Sequence, residues 1–232
     1  MHILLTRPLE DSIDMILKFK NLGHEVSHIP LISIEEKKYE NVNFNEFKGI
    51  IFTSANAIKF LDLKMIDKKI SCFCVGSATE KKARNNGFQN VFPADGNVNN
   101  LKEIIFQNFD KSDGKLIYVS GETISNALDQ QLISKGYNIK RIINYSALPI
   151  DYIDENTLDK IKISRPDIIY VYSEKCAINL KNLIKKYSLV DKLINCNLMC
   201  ISEKTSRVLN GLKWKKIFIF NPGEEEFLLY KI

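Results

Sequence analysis

The stretch KGIIFTSANAIKFL, residues 48–61, reads as strand, turn and helix in quick succession. Ile50, Ile51 and Phe52 make a short apolar run, Thr53 and Ser54 end it, and Ala57, Ile58 and Leu61 resume at helical spacing. The same grammar returns in DIIYVYSEKCAINL, residues 167–180, where Ile169, Tyr170, Val171, Tyr172 and Ser173 answer to Ile50 through Ser54. Short apolar runs that end in hydroxyl residues and lead into helical patterns predict alternating strands and helices around a mainly parallel sheet, an α/β fold.

Working outward, further pieces recur. Val75 and Thr79 in VGSATEKKA match Ile201 and Thr205 in ISEKTSRVL, and Gly96 and Leu101 match Gly223 and Leu228. Ile3, Leu4, Leu5 and Thr6 match Ile117, Tyr118, Val119 and Ser120, and Gly23 matches Gly136. The pieces therefore run A, B, A′, B′, which predicts two similar lobes facing one cleft. VSHIPLISIEE (26–36) and KRIINYSALPID (140–151) mirror one another as extended segments, with Pro30 and Pro149 suited to an edge or linker ladder. They are the expected crossings between lobes. The repeat alone does not decide whether A pairs with B or with B′.

Bulk properties narrow the class. At 232 residues, 45% apolar and 26% charged, the chain suits two small globular lobes rather than a disordered or disulfide-built protein. Its net charge of +5 is mild, and its lysines occur in short pairs such as Lys68 with Lys69 and Lys215 with Lys216, without the interleaved aromatics of a nucleic-acid platform. Cys72, Cys74, Cys176, Cys196 and Cys200 form no CxxC pair and are odd in number, so they read as small buried hydrophobes in a reducing compartment. The start, MHILLTRPLE, lacks a signal-peptide core, and no apolar run reaches the roughly 20 residues of a membrane span. Cytoplasmic residence with no membrane partner is the expectation.

Open parallel sheets bind ligands beyond the carboxyl ends of their strands. Those loops carry Thr6, Thr53, Ser54, Thr79, Ser120, Ser173 and Thr205, mostly at helix starts where free N–H groups and the helix dipole favour anions. Each hydroxyl also serves as a helix N-cap without any ligand; number and symmetry are what point to a pocket for carboxylates or phosphates. No GxGxxG, GxxxxGK[ST] or GxSxG is present. His2, His24 and His28 lack metal-ligand spacing, so no metal site is expected. Tyr145 lies in the second crossing, either as an aromatic packed on a linker or as a hydrogen-bond donor through its hydroxyl.

ILLTRP, IFTSANAIKFL, VGSATEKKARNNGFQNVFPADGNVNNL, KLIYVSGE, INYSALP, VYSEKCAINL and ISEKTSRVLNGL, in this order and spacing, resemble the uroporphyrinogen-III synthases of tetrapyrrole biosynthesis over nearly the whole chain. The resemblance implies two flavodoxin-like or Rossmann-like lobes joined by a two-stranded β-ladder. Residues 1–31 with 150–232 would form one domain and 37–142 the other, with 32–36 and 143–149 as linker strands. It implies a lyase without metal or organic cofactor that closes hydroxymethylbilane, a linear carboxylate-rich tetrapyrrole, to uroporphyrinogen III with inversion of ring D and loss of water, through a spiro intermediate in the inter-lobe cleft. A monomer is implied, with substrate handed over by hydroxymethylbilane synthase.

Tyr145 matches the tyrosine most often proposed as the family's proton donor, and Thr53, Ser54, Thr79, Gly121, Glu122, Thr123, Ser173 and Thr205 fall at substrate-binding positions. Two departures stand out: ISEKTS lacks the glycine and proline that usually precede the family threonine, and SGETISNAL lacks an arginine that many bacterial members carry. The rival readings are a non-catalytic hinged module for an anionic small molecule and a flavodoxin-like cofactor carrier.

Overall fold

The computed structural model describes residues 1–95, 98–124, 126–193, 195–221, 223–226 and 229. Gly96 and Leu228, each one partner of a repeat match, lie outside the described residues. The chain begins with β1 (His2–Leu5), α1 (Leu9–Asn21), β2 (Glu25–His28) and β3 (Ile32–Glu36). It continues through β4 (Phe47–Phe52), α2 (Ala55–Lys59), β5 (Ser71–Val75), α3 (Ser77–Asn85), β6 (Val91–Ala94), α4 (Val98–Asn108), β7 (Lys115–Gly121), α5 (Leu128–Ser134) and β8 (Ile139–Pro149). Then come α6 (Glu155–Ile163), β9 (Ile168–Val171), α7 (Glu174–Lys186), α8 (Val190–Leu193), β10 (Asn197–Cys200), α9 (Glu203–Leu209) and β11 (Lys216–Ile219). The α/β class expected from the sequence is the one found.

Contacts divide the chain into two units, Met1–Ser33 with Leu148–Ile232, and Ile34–Ala147. In the first, the sheet runs β2-β1-β9-β10-β11, with parallel pairing throughout. Its strands are apolar on both faces, as a sheet covered on both sides requires. Leu4, Ile169, Val171, Leu198 and Cys200 pack on one face with Leu180, Leu183 and Ile184 of α7. Ile3, Leu5, Ile168, Tyr170 and Met199 pack on the other with Phe19 of α1. α7 shows why such helices form: Ser173 accepts from Cys176 N at 3.1 Å as its N-cap, and Lys185 and Lys186 in the last turn complement the helix dipole.

The second unit carries a sheet of order β3-β8-β7-β4-β5-β6, in which β7, β4, β5 and β6 are parallel neighbours and β8 is parallel to β7. Ile50, Phe52, Cys72, Cys74, Ile117 and Val119 face Ala57 and Ile58 of α2 and Ala83 of α3. Ile51, Phe73, Leu116 and Tyr118 face Leu101 and Ile105 of α4 and Leu128 and Leu132 of α5. Without β3, the order β8-β7-β4-β5-β6 repeats that of the first unit, so A′ strands sit beside B strands here as A strands sit beside B′ strands there.

Gly49 on β4 marks where the second core is tightest. A Cβ there would lie well inside van der Waals contact distance of Leu116 Cδ2 and 3.0 Å from Phe109 Cε2. Gly49→Ala should cost about 1–3 kcal/mol by overpacking, seen as a lower urea midpoint with an unchanged m-value.

Candidate functional site

In both units the sheet order reverses direction of winding at one strand pair, β1 with β9 in the first and β7 with β4 in the second. The crevice beyond the carboxyl ends of such a pair is where open α/β sheets take ligands. In the second unit this crevice is a hollow of about 330 Å³, lined among others by Thr53, Ser54, Tyr118, Gly121, Thr123 and Tyr145. Five of the sequence-derived residues therefore meet in one place.

Ser54, extended at φ −156°, starts α2 by accepting from Asn56 N at 3.2 Å. Ser54→Ala should cost about 1 kcal/mol of stability in chemical denaturation, the ordinary loss for a cap. Thr53 Oγ1 lies 3.0 Å from the hydroxyl of Tyr118, and burial raises that phenol's pKa above the usual value, so it stays a neutral hydrogen-bonding group. At the end of β7, Arg141 Nε donates to Ser120 Oγ at 2.8 Å, and its Nη2 donates to the carbonyls of Gly121 at 2.8 Å and Glu122 at 3.2 Å. The guanidinium also sits 6.0 Å from the Tyr118 ring centroid. Three hydrogen bonds from one planar group hold the strand end in shape.

Tyr145 on β8 lies directly over Gly121: a Cβ at that glycine would fall 2.7 Å from Tyr145 Cζ and 3.0 Å from its hydroxyl. Glu122 is outside the hollow's lining and forms an ion pair with Lys37. Thr79 is buried within α3 and does not line the hollow.

In the first unit, Ser173 caps α7, while Thr205 is buried with its hydroxyl 3.0 Å from Ser202 Oγ, the cap of α9. These hydroxyls are engaged in helix starts. Beside them at the end of β1, Arg7 places its guanidinium 4.9 Å over the Tyr172 ring, and its carbonyl lies 2.7 Å from His28 Nε2. Burial pushes the Tyr172 phenol far above its usual pKa, so it too is neutral. The sequence marks Arg7, Tyr118 and Arg141 only faintly: a cation directly after β1 and the one phenol among the apolar residues of β7 are the signals it carries.

His2 lies between Ser27 Oγ at 2.8 Å and the Ser164 carbonyl at 2.7 Å. Among the described residues no group of three or more His, Cys, Asp or Glu side chains could hold a metal ion, and no helix is long and apolar enough to cross a membrane. All five cysteines are free and buried. Burial pushes the Cys196 and Cys200 thiols up to about 12, which leaves them poor nucleophiles.

Fold and site thus define an α/β protein of two flavodoxin-like units, with a polar strand-end hollow in the second and no phosphate-loop motif in the chain. The family model described as "Uroporphyrinogen-III synthase HemD" matches residues 14–222, and the chain belongs to that family, enzymes of tetrapyrrole biosynthesis. The crystal structure of uroporphyrinogen-III synthetase from Helicobacter pylori 26695 is similar with a TM-score of 0.65 at 16% identity, over 100% of this chain and 99% of that one. A mutant uroporphyrinogen III synthase from the extremely thermophilic bacterium Thermus thermophilus gives a TM-score of 0.51 at 14% identity, over 100% of this chain and 96% of that one. At such identities the likeness shows the fold. No match is found among curated proteins.

Proposed function

We propose that the chain converts hydroxymethylbilane to uroporphyrinogen III as a hydro-lyase, with Tyr145 as the proton donor that releases the hydroxymethyl oxygen as water. The observation that carries this is the position of the Tyr145 ring over Gly121, in a hollow that also holds the Thr53 and Ser54 loop. Loss of the hydroxyl leaves an electrophilic azafulvene. The substituted carbon of the terminal ring attacks it, and the spiro intermediate reopens and recloses with that ring inverted. The protein's share is to hold the chain in the geometry for that attack, since the uncatalysed ring closure gives the uninverted isomer.

Substrate carboxylates are held by Thr53, Ser54, Gly121 and Thr123 in the second unit, through hydroxyls and backbone N–H groups. Ser173 and Thr205, with Arg7 nearby, serve the first unit. Thr79 and Glu122 act from behind, one inside α3 and the other through its pair with Lys37. The enzyme works as a monomer in the cytoplasm, which suits its buried free thiols, and receives its substrate from hydroxymethylbilane synthase.

The test couples the protein to hydroxymethylbilane synthase and separates the oxidised products by isomer. Isomer III is expected, formed faster than the blank reaction. Isomer I alone, at the blank rate, would overturn the proposal.

A further inference from the structure

The pairing of β7 with β8 is regular from Leu116↔Ile139 to Ser120↔Ile143, and then Gly121 pairs with Tyr145 rather than Asn144. One extra residue on β8 is the mark of a β-bulge, a device that re-aims a side chain. Its consequence follows from the two-residue period of a strand. In the unshifted register Tyr145 would share the sheet face of Arg141 and Ile143. With the shift it joins the face of Ile142 and packs against the cluster of Ile142, Ala57 and Ile58. The shift is what brings the phenol over Gly121.

Asn144, the inserted residue, is 0% exposed. Its Nδ2 donates to the carbonyl of Ala57 on α2 at 2.7 Å, while its own backbone carbonyl accepts from Lys37 N at 2.9 Å. Its Oδ1 is buried and has no hydrogen-bond partner among the described residues. A buried amide that leaves its oxygen unpaired is a poor choice for stability, and such groups call for another explanation. Here the amide ties the bulge to the helix that follows the Thr53 and Ser54 loop, so the phenol and the hydroxyls share one anchor.

The geometry points to Asn144 as the positioning residue that holds the β8 bulge and thereby aims Tyr145 into the strand-end hollow. For its catalytic consequence this rests on Tyr145 as the proton donor; the structural claim does not.

The experiment replaces Asn144 by leucine, a near-isostere without the amide, and labels the enzyme with 3-fluorotyrosine. The Tyr145 resonance is assigned by its loss in Tyr145→Phe. In N144L that resonance is expected to shift or broaden. kcat should fall about 10- to 100-fold with KM within about threefold, the signature of a displaced group rather than a lost binding contact. The N144L/Y145F double variant should be no slower than Y145F, because both changes act through one phenol. An unmoved fluorine resonance overturns the positioning role whatever Tyr145 does. A shifted resonance with full kcat, where Y145F is slow, overturns its importance for the reaction. Full rate in Y145F sinks the proton-donor reading instead, and the resonance still decides the bulge. N144A carries the same test should N144L fold poorly.

Discussion

Tyr145→Phe is expected to lower kcat by about 10²- to 10⁴-fold while leaving folding unchanged, the range lost when a positioned general acid is removed. The ring stays, so its packing against the cluster of Ile142 and Ala57 stays with it. Only the hydroxyl goes. KM should therefore move little, and the loss should appear in kcat and kcat/KM alike, as it does for an interaction made only in the transition state. The products carry a second readout. Substrate that leaves the slowed enzyme closes by itself, so the fraction of isomer I should rise as enzyme is diluted. Steady-state kinetics with isomer separation checks both, and full rate with full isomer III selectivity would remove Tyr145 from its role.

Local chemistry explains which parts of this protein can be read without coordinates. The strands were legible because parallel strands buried on both faces are continuous apolar runs, as in Ile50 to Phe52 and Ile168 to Val171. The strand-end loops were legible because Ser54 and Ser173 are helix caps, a role with a strong residue preference. The pairing of the repeated pieces was not legible, since A with B and A with B′ bury the same pattern. What decides it is the long-range pairing of β1 with β9 and of β4 with β7. The role of Arg141 is hidden for a similar reason: nothing local says that a cation on β8 reaches three acceptors at the end of β7. The same holds for Thr79, a loop residue by its string and a buried helical one by its packing. Side chains whose work lies across the sheet leave little trace in the order of residues.

Gly121→Ala is the second substitution with a large expected effect, and its effect should fall on Tyr145 rather than on the fold. The glycine's backbone is not in the left-handed region, so alanine brings no conformational strain there. The obstacle is contact: the new methyl would sit 2.7 Å from Tyr145 Cζ, 2.8 Å from Cε2 and 3.0 Å from the hydroxyl. Carbon atoms settle at about 3.5–4.0 Å, so the ring must retreat by roughly 1 Å. It can do so cheaply, because Tyr145 is only partly buried and lines an open hollow. Stability should therefore fall by no more than the ~1–3 kcal/mol of ordinary overpacking. Activity should fall further, since a misplacement of about 1 Å can cost 10²-fold in rate. Two measurements separate these effects. Denaturant titration should show a small change in midpoint, and kcat should drop by about 10²-fold with isomer I rising among the products. Combined with Tyr145→Phe the two losses should not add, because once the hydroxyl is gone its displacement has nothing left to remove. A Gly121→Ala enzyme that keeps its rate would show that the phenol's place over this strand end does not matter to the reaction.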